Sequence, residues 1–150
     1  MWRVGLDRLP TRLALKIRNC NMGSLMCGLC NDEEETAEHL FCSCWVALEV
    51  WHQVGVWCKS TPLFMFEVKD LFKLHNVAGF CKEKRMVFKG NVFVTCWILW
   101  KTRNDNVFNN GKTSTEKIVQ DIKAISFLWY RIRKKKDVIT WDKWCSFDTM

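Results

Sequence analysis

From Trp45 onward apolar and polar residues alternate with the period of a helix. Val46, Val50 and Val54, with Ala47, Trp51 and Cys58 beside them, recur at spacings of three and four. This predicts an amphipathic helix that starts directly after Cys44 and is interrupted by Thr61-Pro62. Val68, Leu71 and Phe72 predict a short second helix ending near Asn76, and Gly79 separates it from the next element. Lys82 to Phe108 reads as the longest helix, with Phe88, Val92, Thr95, Leu99 and Arg103 along one stripe and Cys96, Trp100 and Val107 alongside. Gly90 weakens that helix without stopping it. A loop signal from Asn104 to Lys112, strongest at Asn109-Asn110-Gly111, overlaps its end. Thr113 followed by Glu116 fits a capping box, and Ile118, Ile122, Ile125, Trp129 and Ile132 then form a seam whose expected partner is the helix 82–108. Trp141, Trp144 and Phe147, three apart, predict a last helical turn packed back on the bundle.

Before Trp45 the pattern is more broken. Leu9-Pro10-Thr11 interrupts the chain, and Leu13 and Ile17 then share a helical face with Thr11 placed as a cap. Asn19 to Gly23 reads as a turn. Cys27-Gly28-Leu29-Cys30 reads as a chelating knuckle in which Gly28 supplies left-handed backbone, and strand signals are weak outside this region, where a small hairpin fits. The fold class expected is mainly α: a small knuckle region over 1–60, followed by a helical segment or bundle over 61–150.

The 150 residues, nearly half of them apolar, suffice for an ordinary domain or for a small metal-stapled unit joined to a helical one. Nine tryptophans and ten phenylalanines stand against one tyrosine, and most of these rings belong in a core. The nine cysteines are an odd number, and no secretory signal precedes them. Four of them, Cys27, Cys30, Cys42 and Cys44, crowd into eighteen positions, which points to reduced thiols and a metal, in cytoplasm or nucleus. Val92 to Trp100, the most apolar stretch, is far too short to span a bilayer, so no membrane partner is expected.

The spacing Cys27-x2-Cys30-x8-His39-x4-Cys44 supplies three thiolates and one imidazole, a tetrahedral zinc set. His39-x2-Cys42 is also permitted, so Cys42 competes with Cys44; His52 and Cys58 are weaker rivals, and His75 reads as a surface residue. With all four positions filled by protein, the ion is a structural Zn2+ and no open position is left for hydrolytic chemistry.

The net charge of +7 is unevenly placed. Arg12, Lys16 and Arg18 precede the cysteines and Arg131, Arg133, Lys134, Lys135 and Lys136 follow the last long helix, and such clusters attract a polyanion. Asp32 to Glu35, inside the chelating loop, reads as a solvated acidic run that would repel phosphates.

Leu9-Pro10-Thr11-Arg12, Cys27-Gly28-Leu29-Cys30, Glu34-Glu35-Thr36-Ala37-Glu38-His39-Leu40-Phe41, Cys44 and Trp51 together resemble the reverse-transcriptase zinc-binding domain of plant non-LTR (LINE-type) retrotransposons. Trp97-Ile98-Leu99-Trp100-Lys101-Thr102-Arg103-Asn104, with Val107-Phe108, resembles the W-x-x-W-x-x-R-N-x-x-x-F segment that follows it in such elements. The resemblance favours Cys44 over Cys42 as fourth ligand. It implies a place beside a polymerase that copies RNA into DNA, with RNA or DNA and the parent polymerase domains as partners and no small-molecule substrate. The carboxylate motif of a polymerase is missing, since the only tyrosine, Tyr130, is followed by Arg131-Ile132-Arg133; the expectation is therefore a non-catalytic module from a truncated element or fragmentary gene. The alternative is a protein-interaction or scaffold module docking through Trp51, Trp97, Trp100, Trp141 and Trp144.

Overall fold

A computed structural model describes residues 8–134 and 139–149. It is mainly helical, and among the described residues the only β pairing is a single antiparallel bridge between Met26 and Glu34, which stands where the hairpin was expected. Helix α1 spans Arg12–Ile17, capped by Thr11, whose hydroxyl accepts from the Ala14 N–H at 3.3 Å. A five-residue π-helical turn, His39–Ser43, leads through Cys44 into α2, Trp45–Cys58. Val68–Leu71 (α3) and Leu74–Val77 (α4) are single turns where one continuous short helix was expected. Helix α5 covers Lys82–Phe108, α6 covers Thr115–Arg133, and α7 is Trp141–Cys145.

Helix α5 is the spine. All five residues of its predicted stripe, Phe88, Val92, Thr95, Leu99 and Arg103, are buried, and α4, α2 and α6 each pack against it. Its helical geometry persists to Phe108, so the loop begins at Asn109 and not at Asn104; Asn106 and Val107 are kept in the helix by their contacts with the cysteine knuckle.

Helix α6 differs from its expected seam. Ser114, not Thr113, is the N-cap, its hydroxyl accepting from the Lys117 N–H at 3.3 Å. The buried line runs through Ile118, Val119, Ile122, Ser126 and Tyr130, whereas Ile132 is 75% exposed. A spacing of four drifts around a helix of 3.6 residues per turn, and the line follows the crossing with α5 and α2 and not the isoleucines alone.

The C-terminal turn closes the core. Trp144 and Phe147 are fully buried, and Trp57, Phe80, Phe127 and Tyr130 surround them in an aromatic cluster at ring separations of 5.2–6.0 Å. The Trp57 indole N–H donates to the Trp144 carbonyl at 3.0 Å, and the Trp144 indole N–H donates to the Lys123 carbonyl at 2.9 Å. Residues 87 positions apart are thereby tied together. Replacing Trp144 by Ala removes the centre of that cluster; we expect a loss of about 3–5 kcal/mol of unfolding free energy, read from a lowered urea midpoint at unchanged m-value.

Candidate metal centre

The backbone around the cysteines is held by a small set of non-repetitive bonds. The Cys27 N–H donates to the Glu33 carbonyl at 2.7 Å, the Glu35 N–H to Leu25 at 2.9 Å, and the Asn31 N–H to Cys27 at 2.9 Å. Left-handed backbone falls at Asn31 (φ 60°) and not at Gly28. Gly28 serves a different need: a Cβ there would stand 2.6 Å from Val107 Cγ2 and 3.1 Å from Arg103 Cγ, so the glycine lets the knuckle lie against α5.

The second pair of donors comes from the π-helical turn. Thr36 Oγ1 accepts from the His39 N–H at 2.9 Å, and the Cys44 N–H reaches back to the His39 carbonyl at 2.7 Å. That i to i+5 closure widens one turn and brings residues 39 and 44 to one side.

Cys27, Cys30, His39 and Cys44 meet with their donor atoms all within 4.8 Å of one another. Cys30 Sγ and His39 Nε2 are 3.2 Å apart, and Cys27 Sγ and Cys44 Sγ 4.0 Å apart. Tetrahedral zinc with bonds of about 2.0–2.3 Å puts its donors about 3.5–3.8 Å from one another, so the set fits one ion after shifts of about 1 Å or less. The hydrogen bond shared with Cys44 pulls the Cys27 thiol down to about 5, and the same contact together with burial pushes Cys44 up. Two thiolates this close repel each other, and a dication between them is what would let both ionise. The donors fit one structural zinc.

Cys42 stands apart from the cluster. It is a buried core thiol, pushed up to about 12 first by desolvation and then by Glu38 and Asp70, and its sulfur is not among the four donor atoms that meet. Cys58 is likewise a core thiol, beside the Asn91 amide at 3.5 Å, and His52 lies exposed outside the cluster. His75, expected on the surface, is half-buried and also outside it.

The acidic run is solvated as expected at Asp32, Glu33 and Glu34, which are exposed, but not at Glu35, which is buried. Asp32 accepts from the Trp45 indole N–H at 2.9 Å. Glu33 Oε2 lies 3.2 Å from His39 Nδ1, the carboxylate–histidine arrangement that orients a ligand ring with Nε2 toward the metal. Glu35 is fully buried and ion-paired with the equally buried Arg103. It also accepts from the backbone N–H of Arg12 and of Gly28, both at 2.9 Å. Burial alone would raise its pKa, but Arg103 and the two N–H donors outweigh it and the carboxyl is held below its ordinary value. The Arg103 guanidinium stacks 4.8 Å from the centre of the Trp100 ring and donates to the Asn104 side chain at 2.9 Å. The Asn106 amide adds a bond to the Gly28 carbonyl at 3.0 Å. Sequence reasoning placed Arg103 on the buried stripe but missed its partner; the signal was a charged residue on an otherwise apolar face.

The basic residues are scattered differently. Lys16, Arg18, Arg131, Arg133 and Lys134 are exposed, and Lys135 and Lys136 lie outside the described residues. Arg12 is half-buried and donates to the Ser24 carbonyl at 3.2 Å, so its charge is partly used inside the fold. No helix among the described residues is long and apolar enough to cross a membrane.

Residues 1–51 match the family model described as zinc-binding in reverse transcriptase. The match covers the four donors and stops within α2. No curated protein and no solved structure matches.

Two outcomes test the site. Metal analysis of the purified chain should give one zinc per chain, retained in Cys42→Ser and lost in Cys44→Ser. Arg103→Met, which leaves Glu35 buried without its cation, should cost about 3–5 kcal/mol in denaturant unfolding, and adding Glu35→Met should recover part of that loss.

Proposed function

We propose that the chain is a non-catalytic, structural-zinc module of a LINE-type retrotransposon reverse transcriptase of plant origin, and that it helps hold RNA or DNA beside the polymerase. One observation carries the reading: a donor set closed by four protein side chains, within the segment matching the reverse-transcriptase zinc-binding family. A closed set leaves the ion nothing to activate, so its role is to fix α1, the knuckle and α2 relative to one another. The nucleic-acid part rests on the exposed cations Lys16, Arg18, Arg131, Arg133 and Lys134 in a chain of net charge +7. Such a module would work in cytoplasm or nucleus, where its thiols stay reduced.

Of the five tryptophans of the scaffold alternative, Trp97 and Trp141 are exposed. Trp51 and Trp144 are core side chains and cannot dock, and Trp100 is half-buried under Arg103. The apolar side chains left for a protein partner include Phe64 and Phe66, 73% and 83% exposed.

Fluorescence anisotropy with the zinc-loaded chain and labelled oligonucleotides separates the two readings. Neutralising four phosphates of a single strand predicts an affinity loss of about fifty-fold between about 50 and 200 mM salt. Chelation of the zinc should unfold the N-terminal segment, lowering the helical circular dichroism, and remove the share of binding that Lys16 and Arg18 carry. An absence of binding at low salt, with self-association lost in Phe64→Ser and Phe66→Ser, would favour the scaffold.

A further inference from the structure

Met86, Gly90, Phe93 and Trp97 fall at i, i+4, i+7 and i+11 of α5 and therefore share one face. Helix α6 lays Trp129 and Arg133 against that face. A Cβ on Gly90 would come within 2.3 Å of the Trp129 ring, so the indole rests directly on the α5 backbone. Two adjoining clefts of about 340 and 360 Å³ result, sharing Met86, Trp129 and Arg133.

The rings in this groove are paired with cations. The Arg133 guanidinium lies 4.4 Å from the Trp129 ring centre, Lys89 Nζ 5.9 Å from that of Phe93 and Lys101 Nζ 5.7 Å from that of Trp97. Trp97 is 51% exposed. Lys82 and Lys134 stand at the mouth of the second cleft, and among the described residues Glu83 is the only carboxylate lining either one. Apolar ring faces bordered by an excess of positive charge complement a ligand that offers flat apolar rings and negative charge on one strand. A duplex hides its base faces, and a protein partner would need an acidic, ring-bearing surface.

We infer that this groove seats single-stranded nucleic acid, its bases stacking on Trp97 and on the Trp129–Arg133 ledge while its phosphates meet Lys82, Lys89, Lys101 and Lys134. The inference rests on the proposed nucleic-acid role and places its centre on the α5–α6 face. Ring faces and long cations read neither base edges nor the sugar hydroxyl, so RNA and DNA strands bind alike.

The test uses the zinc-loaded full chain and fluorescein-labelled oligouridine, oligothymidine and a duplex. Wild-type protein should bind both single strands more tightly than the duplex. Trp97→Ala, with zinc content and circular dichroism unchanged, should weaken single-strand binding about ten-fold without altering its salt slope. Lys89→Gln should flatten that slope by about 0.7. Wild-type binding that neither substitution changes would overturn the groove while leaving the nucleic-acid role standing. A duplex preference would overturn it as well. Absence of wild-type binding at low salt would remove both readings, and self-association abolished by Trp97→Ala without any effect on nucleic acid would make the groove a protein interface.

Discussion

The buried ion pair between Glu35 and Arg103 decides how the cysteine segment meets the long helix α5. A carboxylate taken out of water is tolerated only when its lone pairs are filled, and here a guanidinium and two backbone N–H groups fill them. One N–H opens α1 and the other belongs to the knuckle glycine, so one side chain gathers the basic helix, the metal loop and the long helix α5. Gly28 belongs to the same arrangement, because with a Cβ there the knuckle could not approach Arg103 and Val107 so closely.

Metal and ion pair divide the work by range. Zinc ties together residues 27 to 44, within which no regular strand pairing exists beyond the single Met26–Glu34 bridge. So short a segment lacks the apolar area to hold itself. The ion pair spans 68 positions and fixes the segment's orientation on the bundle. Farther along, the aromatic cluster around Trp144 ties α2 to the last helical turn, and α5 runs through all three regions.

This division bears on function. A closed metal set, oriented by Glu33 behind His39 and carried on an acidic loop, presents little to a nucleic acid directly. Its contribution is the placing of the helices around it. Trp97 and the cations Lys82, Lys101, Arg133 and Lys134 lie instead on α5 and at the end of α6, outside the segment that matches the zinc-binding family.

The sequence by itself determined the helices and the donors. Apolar spacing located the start of α2 and the span and buried stripe of α5, because periodicity records burial directly. The C-x2-C knuckle with His39 pointed to a closed zinc set, since the chemistry of zinc limits both ligand type and spacing. Cys42 and Cys44 could not be separated by spacing alone, and the fold separates them by turning one sulfur into the core and the other toward its three partners. Only tertiary structure decided the fate of Asp32 to Glu35. A local pattern shows four like charges and cannot show that a guanidinium 68 residues away, an indole and an imidazole will meet them. The same holds for the tryptophans: composition says they must be buried or used, while packing alone sends Trp51 and Trp144 inside and leaves Trp97 on the surface.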